Sequence, residues 1–329
     1  GWRAVFEAHQ IVGSTYFRGP TGIDWDISWS GGWREGSFIL ERTGRRTVVE
    51  HVIKTPTGEL TSKSISGMIP HDPIVGKTIE YFIKTEEDYG IYKAYWEEWL
   101  KRARPNFIEI TEAYETMGDE GVAQVGLGNV FSHIGGARGM QQFLLDLYLR
   151  PELVKDLMDT LMLVKKKQIE AFNQCPSEVL YYDACWACDI SPQHFKKWVY
   201  PDLKQAVDLV RAAGKYVGFY FLGKMKSIMP LIMETRPHFV ETFETQGGDL
   251  TLKEAKRLYG KKVCLMGNFN TVTLALGNVE DAKREALRCL EEGMKGGGYV
   301  MVTGDEVPAD TKLENLKMMV KVAEEYGRY

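Results

Sequence analysis

Residues 179–222, VLYYDACWACDISPQHFKKWVYPDLKQAVDLVRAAGKYVGFYFL, hold the pattern on which the architecture turns. The segment opens with the short apolar run 179–182 and closes with another, 216–222. Runs this short and this apolar fit strands covered on both faces, as in a parallel sheet. Between them Ser191 and Pro192 mark a helix start, because a proline in the first turn gives up an N–H that has no partner there. Phe195, Trp198, Val199, Leu203, Ala206, Val207 and Val210 then recur on one face. The unit reads as strand, helix, parallel strand.

The same alternation extends to both sides. Residues 122–127 form an apolar run before it, and 239–243, 263–266 and 299–302 form runs after it. Pro151 opens a further helix. Thr251 with Glu254, Asn278 with Asp281, and Thr311 with Glu314 have the spacing of capping boxes. Five strand-to-helix repeats after residue 178, and at least one before, favour a closed (β/α)8 TIM barrel over an open doubly wound sheet. The two missing strands are expected within 76–120.

Residues 1–75 break this rhythm. Gly31-Gly32, Gly44 and Thr55-Pro56-Thr57-Gly58 punctuate short β-branched runs, with 47–53 and 60–63 as the arms of a hairpin. The expectation is an N-terminal cap segment, 1–75, packed on a barrel of 76–329 in a single domain. Trp25, Trp29 and Trp33, four apart, are either anchors of this cap or a wall of an aromatic pocket.

The chain has 329 residues, with 41 Lys and Arg against 45 Asp and Glu for a net charge of -4. Such balance builds no phosphate-neutralising stripe, so nucleic acid is not an expected partner. No run approaches the roughly 18 apolar residues of a membrane span, and Gly1-Trp2-Arg3-Ala4 lacks a signal peptide's apolar centre. No membrane partner and a cytoplasmic location are expected. Five cysteines, an odd number, suggest reduced thiols.

In a barrel the reactive groups sit at the carboxyl ends of strands. Those ends carry Asn129 and His133, then Asp183 with Cys185 and Cys188, Tyr220 to Lys224, Glu244, Asn268, and Asp305 with Glu306. Cys185 and Cys188, three apart, can bite one zinc, work as a redox pair, or simply pack. His133 falls in an apparent loop within reach of substrate. Glu244 ends its run and would project into the mouth. Asp305 and Glu306 can bind a metal, deliver a proton, or form an acidic turn before a helix. His194, His238, Cys264 and Cys289 read as structural.

These residues resemble the uroporphyrinogen decarboxylase family, in particular its corrinoid methyltransferase branch. The matching pieces are Thr55-Pro-Thr-Gly-Glu-Leu60, Ile83-Lys-Thr-Glu-Glu-Asp-Tyr89, Gly126-Leu-Gly-Asn129, Arg150-Pro-Glu-Leu-Val154, Ser191-Pro192 followed by Tyr200-Pro201, Leu265-Met-Gly-Asn268, and Gly297-Gly-Tyr299 to Glu314-Asn-Leu316. The resemblance implies a (β/α)8 barrel. Two departures narrow the activity. The arginine-rich N-terminal motif of tetrapyrrole decarboxylases is missing, although Arg34, Arg42, Arg45 and Arg46 are present. The His-x-Cys and last-loop Cys of thiol-methylating members are replaced by Tyr220-Phe221-Leu222 and Gly304-Asp305-Glu306.

What remains is similar to the first methyltransferases of O-demethylation systems. The implied reaction moves a methyl group from a small methylated substrate, an aryl methyl ether, to the Co(I) of cobalamin carried by a partner corrinoid protein. An oxygen anion leaves carbon poorly unless it is protonated or bound to a Lewis acid. Asp183, Glu244, Asp305 and Glu306 are the candidate acids and Tyr220 a hydrogen-bond donor. Cys185 and Cys188 are the candidate zinc ligands, and His133, Trp186 and Asn268 the candidate substrate contacts. Two rivals stand beside this reading: a cofactor-free decarboxylase of a small carboxylic acid that uses Arg138 or Lys224, and a binding module without chemistry.

Overall fold

The capped and periodic stretches become helices and the apolar runs become strands. In chain order they are α1 (Trp2–Val12), β1 (Asp24–Asp26), β2 (Arg34–Thr43), β3 (Arg46–Thr55), β4 (Gly58–Ser66), β5 (Gly76–Glu80), α2 (Glu86–Arg102), β6 (Arg104–Asn106), α3 (Ile108–Met117) and β7 (Val125–Gly128). There follow α4 (Val130–Arg138), α5 (Met140–Leu149), α6 (Pro151–Gln174), β8 (Val179–Asp183), α7 (Pro192–Trp198), α8 (Tyr200–Ala212), β9 (Tyr216–Tyr220) and α9 (Met229–Thr235). The chain closes with β10 (Phe239–Thr242), α10 (Leu252–Tyr259), β11 (Cys264–Gly267), α11 (Thr271–Leu276), α12 (Val279–Gly293), β12 (Tyr299–Val300) and α13 (Leu313–Tyr326). The structure is a computed structural model that describes residues 1–17, 22–69, 75–188, 190–243 and 246–328, without the side chain of Cys188.

The chain divides into two compact units, one of residues 1–23, 107–129 and 169 onward, the other of residues 24–106 and 130–168. The expected cap segment, 1–75, is divided between the two units. Helix α1 belongs with the first unit, and the second takes in α2 together with the antiparallel strands.

In the first unit six strands run in the order β12-β11-β10-β9-β8-β7, each parallel to its neighbours. Each crossover advances one strand, as the (β/α)8 barrel class to which the fold belongs requires. Residues 76–120 do not supply the missing strands. β5 joins an antiparallel sheet and β6 pairs antiparallel with β1, while Tyr16 makes a parallel bridge to Gly121, just ahead of β7.

Side-chain alternation sorts the strands into two faces. The Tyr182 hydroxyl donates to Asp202 on α8 at 2.7 Å, and its ring meets Phe219 at 6.3 Å, so these two face the helices. Tyr181, Asp183, Gly218 and Tyr220 therefore face the opposite, inner side. Tyr181 and Tyr220 meet there at 5.5 Å, and Gly218 leaves the space that the Phe239 ring fills.

The expected capping boxes form at α10 and α12. The one at Thr311 does not. Thr311 donates its N–H back to Pro308 in a preceding turn, and α13 begins after Lys312. The long helix expected after Ser191 is broken at Val199, because Pro201 has no N–H to continue it. No helix among the described residues is long and apolar enough to cross a membrane.

The second unit holds the four-stranded antiparallel sheet β2-β3-β4-β5. Its β3–β4 turn is Thr55 to Gly58, where the Thr55 hydroxyl accepts from the N–H groups of Thr57 and Gly58 at 3.2 and 3.1 Å. A Cβ at Gly58 would strike Ile91 of α2 at 2.6 Å, so only glycine lets the hairpin lie this close. Trp25 packs 4.7 Å from Trp99, and Trp29 packs 5.2 Å from Tyr95.

Candidate active site

Parallel pairing in register places the last inward residues of adjacent strands in one layer. Asp183 on β8 is the direct partner of Tyr220 on β9, and Tyr220 that of Glu241 on β10. The ladder continues past the strands, with Ala184 N–H donating to the Tyr220 carbonyl and Asn129 N–H to that of Asp183, both at 2.9 Å. The layer is thereby held rigidly at the carboxyl end of the sheet.

Asp305, on the loop after β12, reaches this layer. Its Oδ1 accepts from the Tyr220 hydroxyl at 3.0 Å and from the Glu306 N–H at 2.8 Å. Asp183 Oδ1 accepts from the Cys185 N–H at 2.9 Å, which starts the single 3-10 turn Cys185–Cys188. Tyr220 is only 9% exposed. Burial pushes its phenol above the ordinary tyrosine range, and the negative charge of Asp305, then those of Cys185 and Asp183, push it further. The phenol stays protonated, and the charges acting on it are acidic. Three of the expected catalytic residues, Asp183, Tyr220 and Asp305, thus come together with Cys185.

Glu241 is the residue that reading the strand ends missed. It lies within β10, 9% exposed, and shares the inner layer with Tyr220. Glu244, expected there instead, lies outside the described residues. Glu306 contributes its N–H to the site while its side chain is exposed. Trp186, 46% exposed on the turn after β8, stands at the rim.

Asn268 is not free to bind substrate. Its Nδ2 donates to the Phe243 carbonyl at 2.8 Å, and its Oδ1 accepts from Arg288 at 3.1 Å. The residue ties the end of β10 to α12. His133 also departs from expectation. It lies on helix α4 of the second unit, where the Tyr92 hydroxyl is 3.0 Å from its Nε2 and the Trp96 ring 4.7 Å from its own. Burial, then the charge of Lys165, push its imidazole well below the ordinary histidine range. Arg138, a candidate carboxylate anchor, is 8% exposed, paired with Asp146 at 2.7 Å, and donates to the carbonyls of Ile83 and Lys84.

Among the described residues no three His, Cys, Asp or Glu side chains are placed to hold a metal ion. Cys185 stands beside Asp183, and the side chain of its expected partner Cys188 is not described.

A parallel α/β barrel whose strand ends surround a protonated phenol with carboxylates is an enzyme's framework. The chain belongs to the uroporphyrinogen decarboxylase family, whose model matches residues 129–326. Among curated relatives, the uroporphyrinogen decarboxylase of Chlorobium luteolum is 25% identical over 188 residues, 56% of this chain and 52% of that protein. That of Neisseria meningitidis serogroup B is 23% identical over 203 residues, 59% and 54% of the two chains. The chain spans about half the length of the curated relatives it matches. Among solved structures, a methyltransferase from Methanosarcina mazei superposes with a TM-score of 0.58 at 20% identity, covering 67% of this chain and 63% of that one. A B12-independent methionine synthase from a Shewanella species superposes at 0.53 with 10% identity over 98% and 86% of the chains.

Proposed function

We propose that this protein transfers a methyl group from a small methoxylated compound, an aryl methyl ether, to the Co(I) of a partner corrinoid protein. The observation that carries this reading is the Tyr220 hydroxyl, held on Asp305 in one layer with the carboxylates of Asp183 and Glu241. Carboxylates in this layer disfavour a polyanionic substrate at Tyr220 and tolerate a neutral ether. The methyltransferase neighbour supports the reading, since the same fold serves methyl transfer there. Decarboxylation, named for the curated relatives, calls for a cation on the substrate carboxylate; Arg138 is already bound to Asp146, and Lys224, exposed on the loop after β9, is the cation left to that rival.

Reduced cobalt of the partner supplies the electron pair that takes up the methyl carbon. The carbon–oxygen bond breaks, its pair stays on oxygen, and one proton completes the phenol product. An ordinary phenol has a pKa of about 10. Tyr220 is held above that range, and its single O–H proton, which points at Asp305 in the resting protein, turns to the departing oxygen without being surrendered. The proton comes from a carboxyl of the same layer, Asp183 or Glu241. Asp305 acts as a positioning residue for the Tyr220 hydroxyl, and the exposed Trp186 ring offers a stacking surface for an arene. Cys185 and Cys188 are the side chains that would hold zinc as an added Lewis acid. Co(I) survives only in reducing surroundings, so the cytoplasm is the place proposed.

The test is anaerobic incubation with cob(I)alamin and methoxybenzenes. Methylcobalamin and phenol formed one for one support the reading. Carbon dioxide released from a carboxylated arene without any corrinoid would replace it with decarboxylation.

A further inference from the structure

The second unit contains a cavity of its own, of about 500 Å³, within the size range of small-molecule sites. Phe82, Tyr92, Tyr95 and Trp96 line it, with Glu35 of β2 and His51 of β3. The three aromatics of α2 stand at i, i+3 and i+4, so one helix face presents them together. Tyr92 and Tyr95 meet Trp96 at 73° and 82°, with centroids 6.1 and 5.2 Å apart. Neighbouring rings set nearly at right angles pack edge to face and present their faces to an open cleft.

The charge in this lining is one-sided. Burial pushes the Tyr92 phenol up to about 12, and burial with the charge of Glu35 pushes Tyr95 above the ordinary range, so both stay neutral. His51 has each ring nitrogen against a serine hydroxyl, Ser37 at 2.8 Å and Ser64 at 3.2 Å. No lysine or arginine is among the described lining residues. The carboxylate of the lining is Glu35, exposed at the lip, which accepts from the Tyr95 hydroxyl.

Aromatic walls with a single carboxylate suit a diffuse, weakly hydrated positive charge. A primary ammonium is a compact, strongly hydrated charge that loses its water on entering between rings, whereas a quaternary one is weakly hydrated and presents methyl groups to the aromatic faces. We infer that the cavity binds a small quaternary ammonium compound. The inference does not rest on the methyl-transfer reading, and its test needs no corrinoid.

The experiment is calorimetric titration of the intact chain with choline, alongside 3,3-dimethylbutan-1-ol, which carries carbon in place of the choline nitrogen. Choline is expected to bind and to change tryptophan fluorescence, with the carbon isostere about tenfold weaker or worse. Trp96→Leu is expected to weaken choline about tenfold, and Glu35→Gln about fivefold with an unchanged melting temperature. Equal binding of the isostere would show a merely apolar pocket and overturn the inference. So would no choline binding up to about 10 mM, or full binding by the Glu35→Gln variant, whose exposed position keeps the test valid if Trp96→Leu does not fold.

Discussion

Replacing Tyr220 by Phe deletes one oxygen and leaves a ring still packed 5.5 Å from Tyr181. In the resting protein the loss is one hydrogen bond onto the Asp305 carboxylate, which keeps the Glu306 N–H. About 1–2 kcal/mol of stability should go with it, a fall in melting temperature of roughly 2–8 °C. In the transition state the lost group is the donor facing an oxygen that is gaining charge, where a placed donor is worth about 10²–10³ in kcat. The two magnitudes separate a catalytic role from a merely structural one. The departing oxygen separates them again. A donor matters most where that oxygen is most basic, so an unactivated methoxybenzene should lose about a hundredfold and a nitro-substituted one about tenfold or less. Single-turnover loss of cob(I)alamin absorbance under anaerobic conditions reads both rates. The pH dependence carries its own sign. A phenol whose folded pKa is raised keeps its proton below the ordinary tyrosine value and loses it only as pH rises through the higher folded one. Wild-type activity should therefore show no alkaline limb from Tyr220 up to about pH 10. Equal losses for both ethers, or an undiminished Tyr220→Phe rate, would refute the assignment.

Asp146 is fully buried and receives Arg138, Arg150, Tyr89 and Gln142. Asp146→Ala strands Arg138 and should cost about 3–5 kcal/mol in urea denaturation. Burial works to raise this carboxyl, but the hydrogen bonds from Arg138, Tyr89 and Gln142 outweigh it and hold the pKa below the usual value. Its stabilisation is thus present above about pH 4 and lost as pH falls through the lower folded pKa, a loss the variant should not show. Gly218→Ala drives a Cβ into the Phe239 ring and should destabilise by about 1–3 kcal/mol in thermal melts, with Phe239→Leu in the same chain restoring most of it. Elemental analysis of the purified protein and of a Cys185→Ser, Cys188→Ser variant tests the thiols: stoichiometric zinc in the first that is lost in the second makes them ligands, and equal metal in both, or none in either, removes them and leaves the proton to a carboxyl.

The central parallel strands were legible because both their faces are covered, as in β10, and a continuous apolar run is the direct print of that burial. The antiparallel elements left weaker prints. β5 is half exposed along its length, and its place is set by pairing with β4 more than by its own residues. β6 is three residues long and carries no period to read. The segment around His133 looked like a loop because Gly135 and Gly136 interrupt it. Gly135 lies within a helix, where the end of the Met140 side chain occupies the place a Cβ would take. A glycine required for close packing and one required for a turn look identical in one sequence.

Glu241 shows the same limit at the site itself. Attention to strand ends selects Glu244, the acid just past the run. Period two selects differently: Phe239 turns inward against Phe17, so Glu241 turns inward as well, in register with Tyr220 and Asp183. A glutamate inside a strand covered on both faces is costly to bury, and that cost is the signal in the sequence that points to it. Which acids share a layer, however, is a property of pairing between strands, and no single strand records it. The chemistry is tied to that pairing. A one-residue slip of β9 would turn Tyr220 toward the helices and Phe219 toward Asp305, removing the donor while leaving every residue of the site in the chain.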